Sequence, residues 1–224
     1  MSRESIQTVY VLKRIKEDIV YRRLTSDEQI TENSLASMLG VSRTPVREAI
    51  KVLQLEGVLK RENGRIMINF LDHSQSIELE LIRIGLEGLA AEYAAKRIDN
   101  DGKQILVSIL EENANYNGQN LFELSRLNDQ FHLSIAVESR LSYLVEMLKN
   151  IQTKLKLSQS VKFISEKRRA DSVKEHRELA DLIISKKALE ARKVAEHHVR
   201  TTYELMLHSI PSSEKETWQS TVIG

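Results

Sequence analysis

Helix-breaking residues are rare in this chain. Only two prolines and eight glycines occur among its 224 residues. The long segments between them are rich in leucine, isoleucine, alanine, glutamate and lysine, which favour α-helix. Apolar residues recur there at the three- and four-residue spacing of amphipathic helices. The chain is therefore predicted to be mainly α-helical, and it is long enough to form two domains.

The composition excludes several classes of protein. Cysteine is absent, so the chain forms no disulfide and offers no thiolate to a metal ion. We find no uncharged apolar run long enough to cross a membrane and no signal peptide, and a cytoplasmic location is expected. The formal net charge of +1 indicates no class of partner, although basic residues are in slight excess before residue 70 and acidic residues after it.

The first predicted helix spans residues 6–23, where the apolar residues lie on one face. That face consists of Ile6, Val9, Leu12, Ile15 and Ile19. A polar, turn-like link separates it from a short second helix, "ENSLASML", which Gly40 is predicted to end. In the second helix Leu35, Met38 and Leu39 are predicted to face inward.

A third helix is predicted after the tight turn at Gly40, Val41 and Ser42. Thr44 is expected to cap it and Pro45 to be its first residue, since proline is tolerated at the start of a helix. Its buried stripe is predicted at Val46, Ala49, Ile50 and Leu53, before Gly57.

Alternating apolar residues then replace the helical spacing, in "VLKRE" and "RIMINF". Asn63 and Gly64 separate these two runs, and this pair favours the type I′ turn of a β-hairpin. Three helices followed by a two-stranded ribbon predict a winged helix-turn-helix over residues 1–72.

Basic and hydroxyl residues cluster where this domain would meet DNA. The first turn of a recognition helix reads base edges in the major groove, and nearby hydroxyls hold phosphates. The predicted DNA-contacting residues are Ser42, Arg43, Thr44 and Arg47 on the third helix, and Asn63, Gly64 and Arg65 at the wing tip. For each residue alone, an ordinary helix cap or a solvated charged face is the alternative explanation.

The sequence "LASMLGVSRTPVREAIKVLQLEGVL" resembles the DNA-binding domain of the GntR family of bacterial transcription regulators. The resemblance implies that Arg43, Thr44 and Arg47 contact the operator and that Gly64 is the glycine of the wing. Two positions depart from the family pattern. Residues 26–27 are Ser-Asp in place of Pro-Gly, and Asn33 replaces an arginine that is common early in the second helix.

Residues 73–211 are predicted to form an all-α antiparallel bundle, and residues 212–224 a flexible tail. The predicted helices span roughly 75–97, 101–116, 120–138, 141–163, 170–186 and 188–209. The stretches "ELIRIGLEGLAAEYAAKR", "LNDQFHLSIA" and "EHRELADLII" resemble the FCD-type effector domain of FadR-like GntR regulators. This resemblance implies that the helical domain binds an effector and forms a homodimer.

Three histidines and an asparagine are candidate metal ligands. Asn128 and His132 lie four residues apart on one helix face, and an antiparallel bundle can bring His176 and His198 beside them. Three imidazoles and an oxygen donor suit Zn²⁺, Ni²⁺ or Mn²⁺ and leave a coordination position open. In the resembling family the first position is often aspartate, so the neutral Asn128 implies weaker or altered metal binding. Each histidine taken alone is more commonly a surface or core residue.

Arg83 is a candidate effector-binding residue with two interpretations that the sequence leaves open. It can bind the carboxylate of an anionic effector. It can equally form an ion pair with Glu87, which lies four residues further along the same helix.

The sequence therefore predicts a non-enzymatic DNA-binding transcription regulator, a repressor that binds a palindromic double-stranded operator as a homodimer. The resemblance suggests an effector that is a small organic or sugar acid, bound with a divalent metal. Two alternatives are a regulator for which the metal ion itself is the signal, and a metal-dependent hydrolase. The sequence lacks HExxH or a similar run that would favour the hydrolase.

Overall fold

The computed structural model describes residues 3–20, 23–24, 30–116, 121–157 and 166–208. The chain divides into two compact units, Met1–Leu71 and Asp72–Gly224. The tail predicted over residues 212–224 lies outside the described residues.

The first unit contains three helices followed by a hairpin. These elements are α1 (Arg3–Val20), α2 (Glu32–Leu39), α3 (Arg43–Leu55), β1 (Leu59–Glu62) and β2 (Arg65–Ile68). Helix α1 packs against α3. The buried apolar residues of α1 are Val11, Ile15 and Ile19, whereas Ile6 and Val9, predicted on the same face, are exposed. The predicted apolar face of α1 is therefore wrong in its first half.

Local hydrogen bonds define both ends of α2. The Thr31 hydroxyl accepts a hydrogen bond from the backbone N–H of Ser34 at 3.0 Å, and Gly40 ends the helix with φ of 65°. Met38 is 52% exposed, so its predicted inward orientation is wrong. The buried side of α2 is centred on Leu35 and Ala36, and at 100° per residue Met38 points away from it.

Helix α3 begins at Arg43 with Ser42 at the N-cap, so the prediction that Thr44 caps this helix is wrong. Proline is tolerated throughout the first turn, because no backbone N–H there has an acceptor within the helix. Pro45 therefore does not mark the first residue. Thr44 lies in that turn with its side chain exposed.

The hairpin forms as predicted. Leu59 pairs with Ile68 and Glu62 with Arg65 in an antiparallel register. Asn63 and Gly64 both have positive φ, 51° and 78°, which confirms the predicted type I′ geometry.

The second unit is entirely helical in its described part. Its helices are α4 (His73–Arg97), α5 (Asn100–Asn115), α6 (Leu121–Glu138), α7 (Ser142–Leu155), α8 (Glu166–Ile184) and α9 (Ala188–His208). Helix α7 ends eight residues before the predicted position, although residues 158–163 of that prediction lie outside the described segments. Leu157 is buried just after α7 ends, so the apolar spacing continues beyond the helix and conceals its end.

The core of this unit surrounds α4, which contacts α6, α7, α8 and α9. Alanines at positions 90, 91, 94 and 95 of α4 are fully buried, and their small side chains allow neighbouring helices to approach closely. Phe131 of α6 lies in the same core. The predicted fold class, a winged helix-turn-helix followed by a helical bundle, is confirmed. None of the described helices is long and apolar enough to cross a membrane.

Leu148 of α7 is 1% exposed within this core. We expect Leu148→Ala to lower the free energy of unfolding by about 2–5 kcal/mol, because truncation leaves a cavity. The neighbouring, exposed Lys149 provides the control, and Lys149→Ala should change the free energy of unfolding by less than about 0.5 kcal/mol. Urea unfolding at one protein concentration measures both; equal effects would contradict the described burial of α7.

Candidate DNA-binding surface and metal centre

The basic residues of α3 face solvent because its apolar stripe is buried on the opposite side. Ser42, Arg43, Thr44 and Arg47 are all exposed. The arginine side chains at 43 and 47 are 67% and 54% accessible. The buried stripe consists of Val46, Ala49, Ile50 and Leu53, as predicted. The first turn of α3 therefore presents two cations and two hydroxyls.

Among the described residues, the partners of both arginines are weak. Arg43 Nη2 lies 3.3 Å from Glu32 Oε2 on α2. Arg47 Nε lies 3.9 Å from Glu48 Oε1. Exposed ion pairs of this kind contribute at most about 1 kcal/mol, so a phosphate or a guanine edge can replace either carboxylate.

The wing tip lies beside the first turn of α3. Asn63, Gly64 and Arg65 are exposed. One concave surface, here called the wing recess, is lined by Ile30, Thr31, Glu32, Asn33, Arg43, Arg61, Gly64, Arg65 and Ile66. Arg61 of β1 was not among the sequence candidates. It pairs with Ile66 across the hairpin and lines the wing recess together with Arg65. Three arginines in one recess form a surface suited to a phosphate backbone.

The structure brings together the three predicted histidines. His132 of α6, His176 of α8 and His198 of α9 are all buried, and their ligand atoms lie within 4.8 Å of one another. The Nε2 atoms of His176 and His198 are 3.2 Å apart. Two nitrogen ligands of a tetrahedral zinc ion lie about 3.3 Å apart. The spacing of these rings therefore fits ligation of one ion.

The electrostatics of two of the three rings, His176 and His198, favour neutral imidazole. Burial lowers the pKa of His176 well below its ordinary value. Burial also lowers the pKa of His198 to about 4, although a hydrogen bond with Glu175 acts in the opposite direction. Neutral imidazole is the form that binds a metal. Both ring nitrogens of His132 are buried and have no hydrogen-bond partner among the described residues, so a metal ion bound at Nε2 would displace no partner. The residues present fit a divalent metal ion.

Two carboxylates contact the outer side of the cluster. Glu87 Oε2 of α4 lies 3.3 Å from His132 Nδ1, and Glu175 Oε2 of α8 lies 2.5 Å from His198 Nδ1. Burial alone raises the pKa of Glu87, but His132 and Arg83 outweigh it and lower that pKa to about 2. Sequence reasoning missed Glu175, because its partner belongs to a different helix and no spacing along the chain relates the two.

Arg83 is buried within α4 and pairs with two carboxylates. Its Nε donates to Glu87 Oε1 at 3.1 Å, and its Nη1 lies 3.4 Å from Glu80 Oε2. The intrahelical ion pair, one of the two interpretations open from the sequence, is therefore present. Asn128 lies one turn before His132 and is half-buried. The adjacent Asp129 is engaged elsewhere, with Oδ2 2.7 Å from Lys156 Nζ.

Two protein-family models match the chain. The model for bacterial regulatory proteins of the gntR family matches residues 7–66. The model for the FCD domain matches residues 78–201. The first match contains the wing recess and the second contains the histidine cluster.

Individual relatives and a solved structure show the same likeness. The chain is 30% identical over 192 residues to the uncharacterized HTH-type transcriptional regulator YdhC of Bacillus subtilis (strain 168), covering 84% of this chain and 85% of that protein. It is 31% identical over 88 residues to the gluconate operon transcriptional repressor of the same species, covering 39% of this chain and 36% of that protein. The structure of McbR/YncC from E. coli superimposes with a TM-score of 0.78 at 20% identity, covering 93% of this chain and 99% of that one. At this identity the structural likeness supports the fold alone.

Arg47→Ala tests the predicted DNA contact. If Arg47 reads a base, we expect affinity for a selected duplex to fall by about 1–3 kcal/mol, roughly 5- to 150-fold, with less discrimination at one position. If it contacts phosphate, affinity should fall similarly for all sequences. Fluorescence anisotropy at fixed salt, on a duplex selected from a random library and on its scrambled form, separates these results.

Arg177→Ala is the matched control for this measurement, because Arg177 is an exposed arginine of α8 in the other unit. It should leave both affinities unchanged. If Arg47→Ala binds both duplexes with wild-type affinity, the assignment of this surface to DNA binding is contradicted.

Proposed function

This chain belongs to the GntR family of bacterial regulatory proteins and contains an FCD domain, and from this premise we propose how it is controlled. It is a GntR-type transcription regulator. We propose that its operator affinity changes when a small organic or sugar acid binds together with a divalent metal in the helical unit. The observation that carries this proposal is the buried cluster of His132, His176 and His198.

In the proposed DNA complex, the first turn of α3 enters the major groove and the wing contacts the adjacent backbone. The exposure of Arg43 and Arg47 and their weak ion pairs support this orientation. A homodimer of the chain would place two such helices on a palindromic operator, because a two-fold protein matches a two-fold DNA site.

In the proposed metal centre, the three histidines supply nitrogen ligands and Asn128 supplies a neutral oxygen ligand. Zn²⁺, Ni²⁺ and Mn²⁺ all accept this combination. The bound ion would act as a Lewis acid that holds a carboxylate oxygen at its open position. An amide oxygen binds such ions more weakly than a carboxylate, so metal binding is proposed to be reversible.

Arg83 is proposed to assist acid binding. Its contact with Glu80 is longer than its contact with Glu87, at 3.4 Å against 3.1 Å. Burial raises the pKa of Glu80, which favours loss of its charge and weakens its hold on Arg83. The Nη1 side of the guanidinium is therefore the side on which an effector carboxylate can replace Glu80.

The chain is proposed to be a repressor that the acid releases from DNA. One relative is named a repressor of a gluconate operon, which supports a repressing role. The acid can shift the operator equilibrium only if it binds the DNA-competent and DNA-incompetent states with different affinities.

A regulator that senses the metal itself is the second candidate. The neutral Asn128 favours it, because weaker binding would let occupancy follow the metal concentration. A hydrolytic function has less support. Glu87 and Glu175, the carboxylates that contact the cluster, are each engaged by a histidine and an arginine, so neither is positioned as a general base.

Removing two ligands tests the metal centre. His176→Ala with His198→Ala should abolish retention of divalent metal, because a single imidazole cannot replace three. His197→Ala is the matched control, since His197 is exposed beside His198 and should leave metal content unchanged. Elemental analysis after dialysis against trace metal measures both, and equal metal content in the two variants would refute the site.

A thermal-shift screen of organic and sugar acids, with and without metal, tests the effector. An acid present at about 100 times its Kd should raise the melting temperature by about 5–10 °C, and only when metal is present. Operator anisotropy then distinguishes the two candidates: a response to metal alone supports the metal sensor, and a response only to metal with acid supports the acid-responsive repressor.

A further inference from the structure

We propose that Glu175 is a positioning residue for the metal centre. It fixes the ring of His198 through Nδ1, so that Nε2 faces the space shared with His132 and His176, and Arg168 in turn fixes Glu175. This inference rests on the proposed metal-binding function and assigns a role to two residues that are not themselves ligands.

The contact between Glu175 and His198 defines the tautomer of the histidine. Glu175 Oε2 lies 2.5 Å from His198 Nδ1. An ionised carboxylate only accepts hydrogen bonds, so Nδ1 must carry the hydrogen and Nε2 keeps the lone pair. That Nε2 lies 3.2 Å from Nε2 of His176. Nε2, the nitrogen of His198 that can bind a metal ion, therefore points toward the other proposed ligands.

Arg168 holds the carboxylate in this position from two turns earlier on α8. Its Nη1 and Nη2 donate to the two oxygens of Glu175 at 3.0 and 2.9 Å, the bidentate geometry that gives arginine its directional strength. Nη2 also donates to the main-chain oxygen of His198 at 3.2 Å. Nη2 lies 3.4 Å from His198 Nδ1, whereas Glu175 Oε2 lies 2.5 Å from the same atom, so Glu175 is the partner of that nitrogen.

A looser contact of the same residue types occurs on the other side of the cluster. Glu87 contacts Nδ1 of His132 and is held by Arg83. Two helices, α4 and α8, thus each place a glutamate against a histidine on another helix. Among the described residues, Glu175 makes a hydrogen bond to its histidine, whereas Nδ1 of His132 has no hydrogen-bond partner. His176 is oriented differently, by stacking on Phe131 with ring centroids 4.2 Å apart.

The two glutamates differ in burial, which makes Glu175 the better test. Its side chain is 22% accessible, against 2% for Glu87. Replacing the fully buried Glu87 would leave the positive charge of Arg83 less compensated inside the core. The protein would then be strongly destabilised. Replacing Glu175 leaves a position that water can reach, so the effect on metal binding can be separated from the effect on folding.

The test compares Glu175→Ala, Glu175→Gln and Arg168→Lys in the full-length protein. Zn²⁺ affinity, measured by competition with a chromophoric chelator, should fall by about 10- to 100-fold for Glu175→Ala, as for other residues that orient metal ligands. Glu175→Gln should retain part of the affinity, because its amide oxygen still accepts from Nδ1. The Zn²⁺ affinity of Arg168→Lys should lie between those of wild type and Glu175→Ala, since lysine cannot form the bidentate pair. Glu178→Ala, at an exposed glutamate of the same helix, should match wild type.

Nitrogen-15 NMR of the metal-free protein gives a readout that a purely structural role would not move. His198 should be the Nδ1–H tautomer in wild type and in Glu175→Gln, and should lose that preference in Glu175→Ala. Wild-type Zn²⁺ affinity in both Glu175 variants, or an unchanged tautomer in Glu175→Ala, overturns the inference. If Glu175→Ala does not fold, the isosteric Glu175→Gln and Arg168→Lys replace it in the test. Reduced Zn²⁺ affinity in these two variants supports the inference, and wild-type affinity in both overturns it. Failure of the wild-type protein to bind any metal would instead refute the proposed metal function, and the tautomer would still report whether Glu175 orients His198.

Discussion

Pairing of charge inside the helical unit is the constraint on which the candidate metal centre depends. Ionised side chains are costly to remove from water unless partners compensate them. Here Glu87 contacts Arg83 and His132, while Glu175 contacts Arg168 and His198. These pairs allow carboxylates to lie against imidazoles inside the helical unit. The contact of Glu175 that makes burial tolerable is also the one proposed to orient His198.

The DNA-binding unit places its charges in the opposite environment. Arg43 and Arg47 are exposed and have weak, solvent-screened partners, so their guanidinium groups can exchange one anion for another at little cost. The buried apolar stripe of α3 and the short turn at Asn63 and Gly64 fix the backbone that carries these arginine side chains. Binding to a polyanion requires accessible cations on a fixed frame, whereas binding an ion requires enclosed ligands.

Helical periodicity and the Asn63-Gly64 pair were sufficient to predict the order of elements and the fold class. They failed at two helix boundaries that the residue pattern does not define. Leu157 continues the apolar pattern of α7 past the end of that helix, and Pro45 is accepted anywhere in the first turn of α3. The three histidines could be predicted from their residue type and family pattern. Glu175 and Arg61 could not, because each becomes relevant only through a neighbour that is distant along the chain or across a hairpin.

The three histidines lie on α6, α8 and α9, and the contacts that orient them extend to α4. An ion held by these residues would tie together parts of the chain that are separated by dozens of residues. Protein stripped of the ion by a chelator would then open more readily, and proteases would cleave it more often than the metal-loaded form. The cellular lifetime of such a regulator would follow metal supply, so starvation for the ion could lower its abundance as well as its ligand response.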